Sequence, residues 1–248
     1  MNEKISLFKS RNELAKLGYK IFLIGILFLP SAPVISVFFI LPALFLGFIC
    51  TSNFLKDKLN LLFFLISILM TLVSTSHLLG SNTFEGITWN NKLSFIGLLN
   101  WIPLFLVFCT SQIYLSNRVQ RSYFSLFLLF GSIPVILSGF GQYFLKWEGP
   151  FVFLNGIIVW FMKPIETHAD GLSGLFSNQN YAGTWFSLIW PFCFTFFLIA
   201  KKNSKKRWLF IIFLILVSIS LILTFSKNAL LGILIAIPLI VGLKSLFI

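Results

Sequence analysis

Few residues in this chain can do chemistry, and most of them fall in two short stretches. The first, Lys163-Pro-Ile-Glu-Thr-His-Ala-Asp-Gly-Leu-Ser-Gly-Leu-Phe-Ser-Asn-Gln-Asn-Tyr-Ala-Gly183, gathers Glu166, His168, Asp170 and the carboxamides of Asn178, Gln179 and Asn180. A general base needs a group that titrates near neutral pH, which His168 offers, with Glu166 or Asp170 to orient it. A solvated loop of the same composition is the plainer reading. Asn178 and Asn180 have two compatible roles: capping the free backbone donors of a helix that follows, and binding sugar hydroxyls through their amides. The second stretch, Thr224-Phe-Ser-Lys-Asn228, puts Lys227 at a tight connection between two apolar runs. There it can neutralise a phosphate or anchor a helix end among lipid headgroups. Ser226 beside Lys227 lacks the S-x-x-K spacing of a serine hydrolase dyad. The chain has 2 His, and its 3 Cys (Cys50, Cys109 and Cys193) each stand alone in or beside an apolar run. No metal site, cofactor or disulfide framework is expected from such a set. His77 reads as a helix-terminal histidine, and the cysteines read as small core hydrophobes.

The elements that carry these residues follow from composition. Of 248 residues 58% are apolar and 10% charged, and only 7 are carboxylates, too few to cover a water-facing surface. A soluble enzyme is excluded. The net charge of +12 sits in short clusters between long apolar runs, so the expected partner is a lipid bilayer and not nucleic acid. A helix needs about 20 apolar residues to cross the hydrocarbon core. Runs of that kind lie at roughly 59–79, 93–115, 122–145, 181–200, 208–225 and 228–248, the last interrupted by Lys244. The first apolar stretch, Leu17 to Cys50, contains Pro30, Pro33 and Pro42, and Leu29-Pro30-Ser31-Ala32-Pro33 reads as a turn between two short spans. With that hairpin, 15 of the 19 Lys and Arg residues fall on one side and 4 on the other, whereas a single span there gives 10 against 9. The positive-inside bias therefore favours the hairpin. The expected fold is all-α: a polytopic transmembrane bundle of about eight spans forming one domain over 1–248, with the N-terminus cytoplasmic. Tyr19 to Leu29 lacks an A-x-A cleavage site and is not read as a cleaved signal peptide.

In this topology the loop 146–180 faces outward. Its first part, Phe151 to Met162, is apolar but only 12 residues long, about 18 Å as a helix, and cannot span. With Trp147 and Trp160 near its ends it is expected to be an interfacial or re-entrant helix, or a loop helix packed on neighbouring spans.

Two segments resemble the O-antigen ligase and polymerase family of bacterial envelope proteins. Gly171-Leu-Ser-Gly-Leu-Phe-Ser-Asn-Gln-Asn-Tyr-Ala182 is similar to that family's G-x-F-x-N-P-N pattern before a span, with Gln179 in place of Pro. Leu223-Thr-Phe-Ser-Lys-Asn-Ala-Leu-Leu-Gly232 is similar to its T-x-S-R-x-A-L-L-G turn, with Lys227 in place of Arg. The resemblance implies a metal-independent C-type membrane glycosyltransferase of the bacterial inner membrane. Such a protein passes a glycan from an undecaprenyl diphosphate carrier to a lipid A-core sugar or a growing polysaccharide. It also implies substrate-binding roles for Lys227, Asn178 and Asn180 near the donor, and His168 of the same loop is a further candidate for binding the diphosphate or glycan. Gly171 departs from the Arg many relatives carry there. The family's catalytic His belongs to a later outer loop beyond Ile248, so that role is not carried onto His168. A second polypeptide supplying the missing spans is the expectation on this reading. A non-catalytic membrane subunit or remnant, and a small-solute transporter, are the alternatives.

Overall fold

A computed structural model describes the chain apart from residues 1, 52–53, 80–82, 85–86, 89–91, 168 and 243–248. The described residues are mostly helical: α1 (Asn2–Phe28), α2 (Pro33–Cys50), α3 (Lys58–Leu79), α4 (Lys92–Ser111), α5 (Arg118–Gly131), α6 (Ile133–Leu145), α7 (Gln179–Ile199), α8 (Lys205–Leu223) and α9 (Lys227–Val241). Two antiparallel hairpins complete them, β1 (Thr83–Phe84) with β2 (Ile87–Thr88) and β3 (Phe151–Phe153) with β4 (Ile158–Trp160).

Among the described residues six stretches are long and apolar enough to cross a membrane: Pro33–Cys50, Lys58–His77, Leu93–Leu115, Arg118–Leu145, Gln179–Ile199 and Lys205–Leu223. Their outward side chains are apolar as well. Phe38, Leu69 and Leu99 are 73%, 62% and 72% exposed, a pattern that water would not tolerate along whole helices and lipid does. This is the construction of a multi-pass membrane protein surrounded by a bilayer. α1 ends at Phe28 and α2 begins at Pro33, so the break falls in the proline-rich turn expected from sequence. α1 and the 15-residue α9 are not among the six, and Lys244 lies outside the described residues.

One expectation is corrected at the level of elements, and another is refined. The run 122–145 falls within the span Arg118–Leu145 as expected, but its helix is interrupted at Ser132: α5 stops at Gly131 and α6 starts at Ile133. Pro134, in the first turn of α6, has no N–H to give the Phe130 carbonyl, which breaks the ladder there. The segment 151–162 is not a helix but the β3–β4 hairpin. Val152, Ile158 and Val159 favour extended backbone, and Asn155 and Gly156 take φ of 53° and 92°, the left-handed values that an Asn-Gly turn supplies. The Trp160 indole N–H donates to the Ser31 carbonyl at 2.9 Å, tying this hairpin to the turn between α1 and α2.

The chain's contacts cluster into two compact units. The first comprises Met1–Phe22 and Ile40–Arg121. Tyr114 is buried there, donating to the Ala43 carbonyl at 2.5 Å and packing on the ring of Phe22. Asp57 caps α3 by accepting from the N–H groups of Leu59 and Asn60, and Asn60 accepts from the Gln112 amide at 3.1 Å. The second unit comprises Leu23–Phe39 and Ser122–Ile248. Its core is built from Val135 on α6, Phe186, Ile189 and Cys193 on α7, and Val217 and Leu221 on α8, all buried. Every residue of the candidate site that the structure describes belongs to this second unit.

Candidate functional site

The site begins with a buried amide. Gln142, 2% exposed on α6, accepts from the backbone N–H groups of Ser173 and Gly174 at 2.9 and 2.7 Å. Its own amide donates to the Lys163 carbonyl at 2.5 Å and the Ser173 hydroxyl at 2.9 Å. The Ser173 hydroxyl in turn accepts from the Lys163 N–H at 3.2 Å. One side chain thus joins both arms of the loop, and each of its polar atoms is satisfied in a dry setting. Backbone bonds from Phe161 to Leu175 and from Met162 to Gly174, each 3.1 Å, continue the same pairing.

The loop is then seated on the connection between α8 and α9. The Leu172 N–H donates to the Leu223 carbonyl at 2.8 Å, and Gly171 lies against the Thr224 carbonyl with no space for a side chain. Gly183, in the first turns of α7, packs equally closely on Ser226 and Ala229. The three-residue turn holds itself together. The buried Thr224 donates its hydroxyl to the Leu221 carbonyl at 2.7 Å and accepts from the Ser226 N–H at 3.3 Å. Gln179 adds a further tie, its side-chain oxygen accepting from the Gly171 N–H. The two segments singled out by sequence are therefore packed directly on one another, although α7 and α8 separate them in the chain.

Two polar hollows flank this junction. The smaller, about 280 Å³, is lined by Lys163, Asp170, Ser173, Asn178, Gln179 and Asn180. The larger, about 410 Å³, is lined by Tyr143, Lys146, Glu166, Thr167, Asp170 and Phe225. Asp170 belongs to both. Its carboxylate accepts from the Thr167 hydroxyl at 2.8 Å and the Thr167 N–H at 3.0 Å, and lies 3.6 Å from the Lys163 ammonium. The Thr167 donors, with the Lys163 charge, hold the Asp170 carboxyl below its ordinary range.

Asn178 and Asn180 meet in the smaller hollow, and the Asn178 side-chain oxygen accepts from the Asn180 N–H at 2.7 Å as the cap of α7. Capping does not consume the Asn178 amide donors, nor the exposed Asn180 side chain. Lys227 is exposed as the first residue of α9, and among the described residues no carboxylate pairs with it. It lines neither hollow, although Phe225 two residues earlier lines the larger one. His168 lies outside the described residues, so its pairing with Glu166 or Asp170 has no counterpart here; Asp170 directs its oxygens to Thr167 and Lys163. His77 is at the far end of α3, in the other unit.

Four residues of the site escaped the sequence reading: Gln142, Tyr143, Lys146 and Gln179 as a tie. The signal for Gln142 was present, since an unpaired amide inside an apolar run is costly and must have a partner. No protein-family model matches the chain, and neither a curated protein nor a solved structure matches it.

Proposed function

We propose that the chain is a membrane protein of the O-antigen ligase and polymerase type, acting on a lipid-linked glycan donor such as an undecaprenyl diphosphate sugar. The observation that supports this most is the Leu172 to Leu223 hydrogen bond, through which two segments similar to two family motifs share one surface. In glycan transfer the bond between the sugar's anomeric carbon and the diphosphate oxygen breaks, and an acceptor hydroxyl replaces it. Charge grows on the departing diphosphate, and a fixed cation at the membrane surface stabilises it without a metal. Lys227 is assigned that role, and the amides of Asn178 and Asn180 are assigned to sugar hydroxyls. His168 is assigned to the glycan on the loop side. The acceptor is a lipid A-core sugar or a growing polysaccharide. In this reading the chain has about eight spans, counting the apolar half of α1 and α9 with the six stretches above. It lies in the bacterial inner membrane with its N-terminus cytoplasmic, and it works with a second polypeptide that supplies the base taking the acceptor's proton.

One observation favours a second reading, a non-catalytic membrane subunit. Asp170, shared by both hollows, is kept ionised by Thr167 and Lys163, which suits a structural carboxylate better than a proton acceptor.

The test is surface glycan transfer in a strain lacking its own ligase, complemented with this chain and its partner. Lys227→Ala is expected to lose activity by about 2.7 to 4 kcal/mol of transition-state stabilisation, and Lys227→Arg to keep it. Full activity of the Ala variant at equal membrane abundance removes Lys227 from the site. No transfer by wild type with its partner favours the subunit reading.

A further inference from the structure

The opposite end of α7 and α8 carries a second arrangement that the glycan reading does not use. Between Ala200 and Arg207 the chain reads Lys201-Lys202-Asn203-Ser204-Lys205-Lys206, and all four lysines lack a carboxylate partner among the described residues. Arg207 is the exception in this cluster. Its guanidinium lies 4.5 Å from the centre of the Phe197 ring and donates to the Ala200 carbonyl at 3.4 Å, closing the connection. Four unpaired ammonium groups in six residues repel one another and call for an anion.

Beneath them are an apolar cleft and an apolar stripe. The cleft, about 490 Å³, has walls of Phe130 from α5, Phe196 and Ile199 from α7, and Leu209 from α8, with Lys201 and Lys206 at its rim. The stripe is an open face of α8 alone, formed by Trp208, Leu209, Ile212 and Phe213, with Lys205 at its end. Leu209 lies on both, a ridge between two apolar tracks that each carry lysine at one end. The Phe196 and Phe210 rings, which both line the cleft, stack at 5.0 Å. The start of α8 adds backbone donors. Ser204 caps the helix by accepting from the Arg207 N–H at 3.2 Å, which leaves the N–H groups of Lys205 and Lys206 without an acceptor among the described residues. Free N–H groups and the positive end of a helix favour phosphate.

We propose that α5, α7 and the start of α8 form a binding site for an anionic phospholipid with two acyl chains. Its phosphate sits on Lys201, Lys205, Lys206 and the first N–H groups of α8, one chain lies in the cleft, and the other follows the stripe on the far side of Leu209. The charge selects an anionic headgroup over a zwitterionic one. The pair of apolar tracks selects a diacyl lipid over a free phosphate.

The experiment is native mass spectrometry of the full chain in mild detergent, titrated with phosphatidylglycerol, phosphatidylcholine or glycerol 3-phosphate, with the unfolding temperature measured in parallel. Wild type is expected to retain one phosphatidylglycerol per chain and to be stabilised by it, with at least tenfold weaker retention of phosphatidylcholine and none of glycerol 3-phosphate. Lys201→Gln, Lys205→Gln and Lys206→Gln together are expected to weaken phosphatidylglycerol binding on the order of a hundredfold. The corresponding triple Arg variant should bind as wild type does, which separates lost charge from misfolding. Leu209→Trp puts a bulky ring on the ridge where both acyl chains would pass while leaving every charge in place, and is expected to weaken the adduct at least tenfold. The proposal is overturned by equal retention of the two lipids, by stabilisation with glycerol 3-phosphate alone, or by undiminished binding in Leu209→Trp.

Discussion

Gln142 decides whether the loop that carries the candidate site has one shape. Replacing it with Leu keeps the volume but leaves the Ser173 and Gly174 N–H groups and the Lys163 carbonyl without their partner in a buried setting. Orphaned buried polar groups cost about 1 to 3 kcal/mol each, so Gln142→Leu should lower stability by about 3 kcal/mol. It should also open the segment 163–180 to protease. Denaturant unfolding and limited proteolysis check this, and a variant as stable and resistant as wild type would show that the amide is dispensable. Asp170 gives a separate test through pH. Its carboxyl is held below the ordinary value of 3.8 by Thr167 and Lys163, so the ionised form is favoured when the loop is folded. The stabilisation is therefore complete above 3.8 and fades as pH falls through the lowered value. Protease protection of the loop should persist at pH 3.8 and weaken below it, and Asp170→Asn should remove this acid-dependent weakening. Of these residues only the capping role of Asn178 was legible in sequence, because a cap is a local bond between near neighbours. The partners of Gln142 lie 21 to 32 positions away and become visible only when α6 and the loop are brought together.

Among the elements, the seating of the long loop on the turn between α8 and α9 depends on close backbone approach. Gly171 abuts the Thr224 carbonyl, so any side chain there must displace a backbone that is itself held by Thr224 and Leu223. Many members of the family that the two segments resemble carry Arg at this position, and here no side chain fits. Gly171→Arg should destabilise the chain by about 1 to 3 kcal/mol and, on the proposed function, reduce glycan transfer even though it adds a cation. Higher activity in that variant, at unchanged thermal stability, would mean the loop can lift from the turn without penalty. The helices around this seat were legible because runs of about 20 apolar residues have few other uses. The β3–β4 hairpin was not, because its apolar side chains suit an interfacial helix as well as a hairpin and only the Asn155-Gly156 pair marks a turn. Pro134 marks the start of α6 inside the run 122–145.

For the whole chain the sequence supplies a sidedness that helices alone do not. Length and hydropathy identify six stretches able to cross a membrane, but the orientation rests on where cations gather, and on whether α1 and α2 form a pair of spans. In the proposed eight-span topology the pair would place the regions around Glu13, Asp57, Asn117 and Asn203 on one side, and the tip of the β3–β4 hairpin and Ser177 on the other. A single span over the same region would put Glu13 opposite Asp57 and divide the 19 basic residues almost evenly. Even division forfeits the attraction between juxtamembrane lysines and the anionic inner surface, worth about 1 kcal/mol for each residue near it. The discriminating experiment starts from a chain with Cys50, Cys109 and Cys193 changed to Ser, and introduces single cysteines at Glu13, Asp57, Asn117, Asn155, Ser177 and Asn203. A membrane-impermeant thiol reagent applied to sealed vesicles of known orientation should label positions 13, 57, 117 and 203 from the cytoplasmic side and 155 and 177 from the other. Opposite labelling of 13 and 57 would replace the hairpin by a single crossing. It would also leave the basic cluster at 201–207 as the main determinant of orientation.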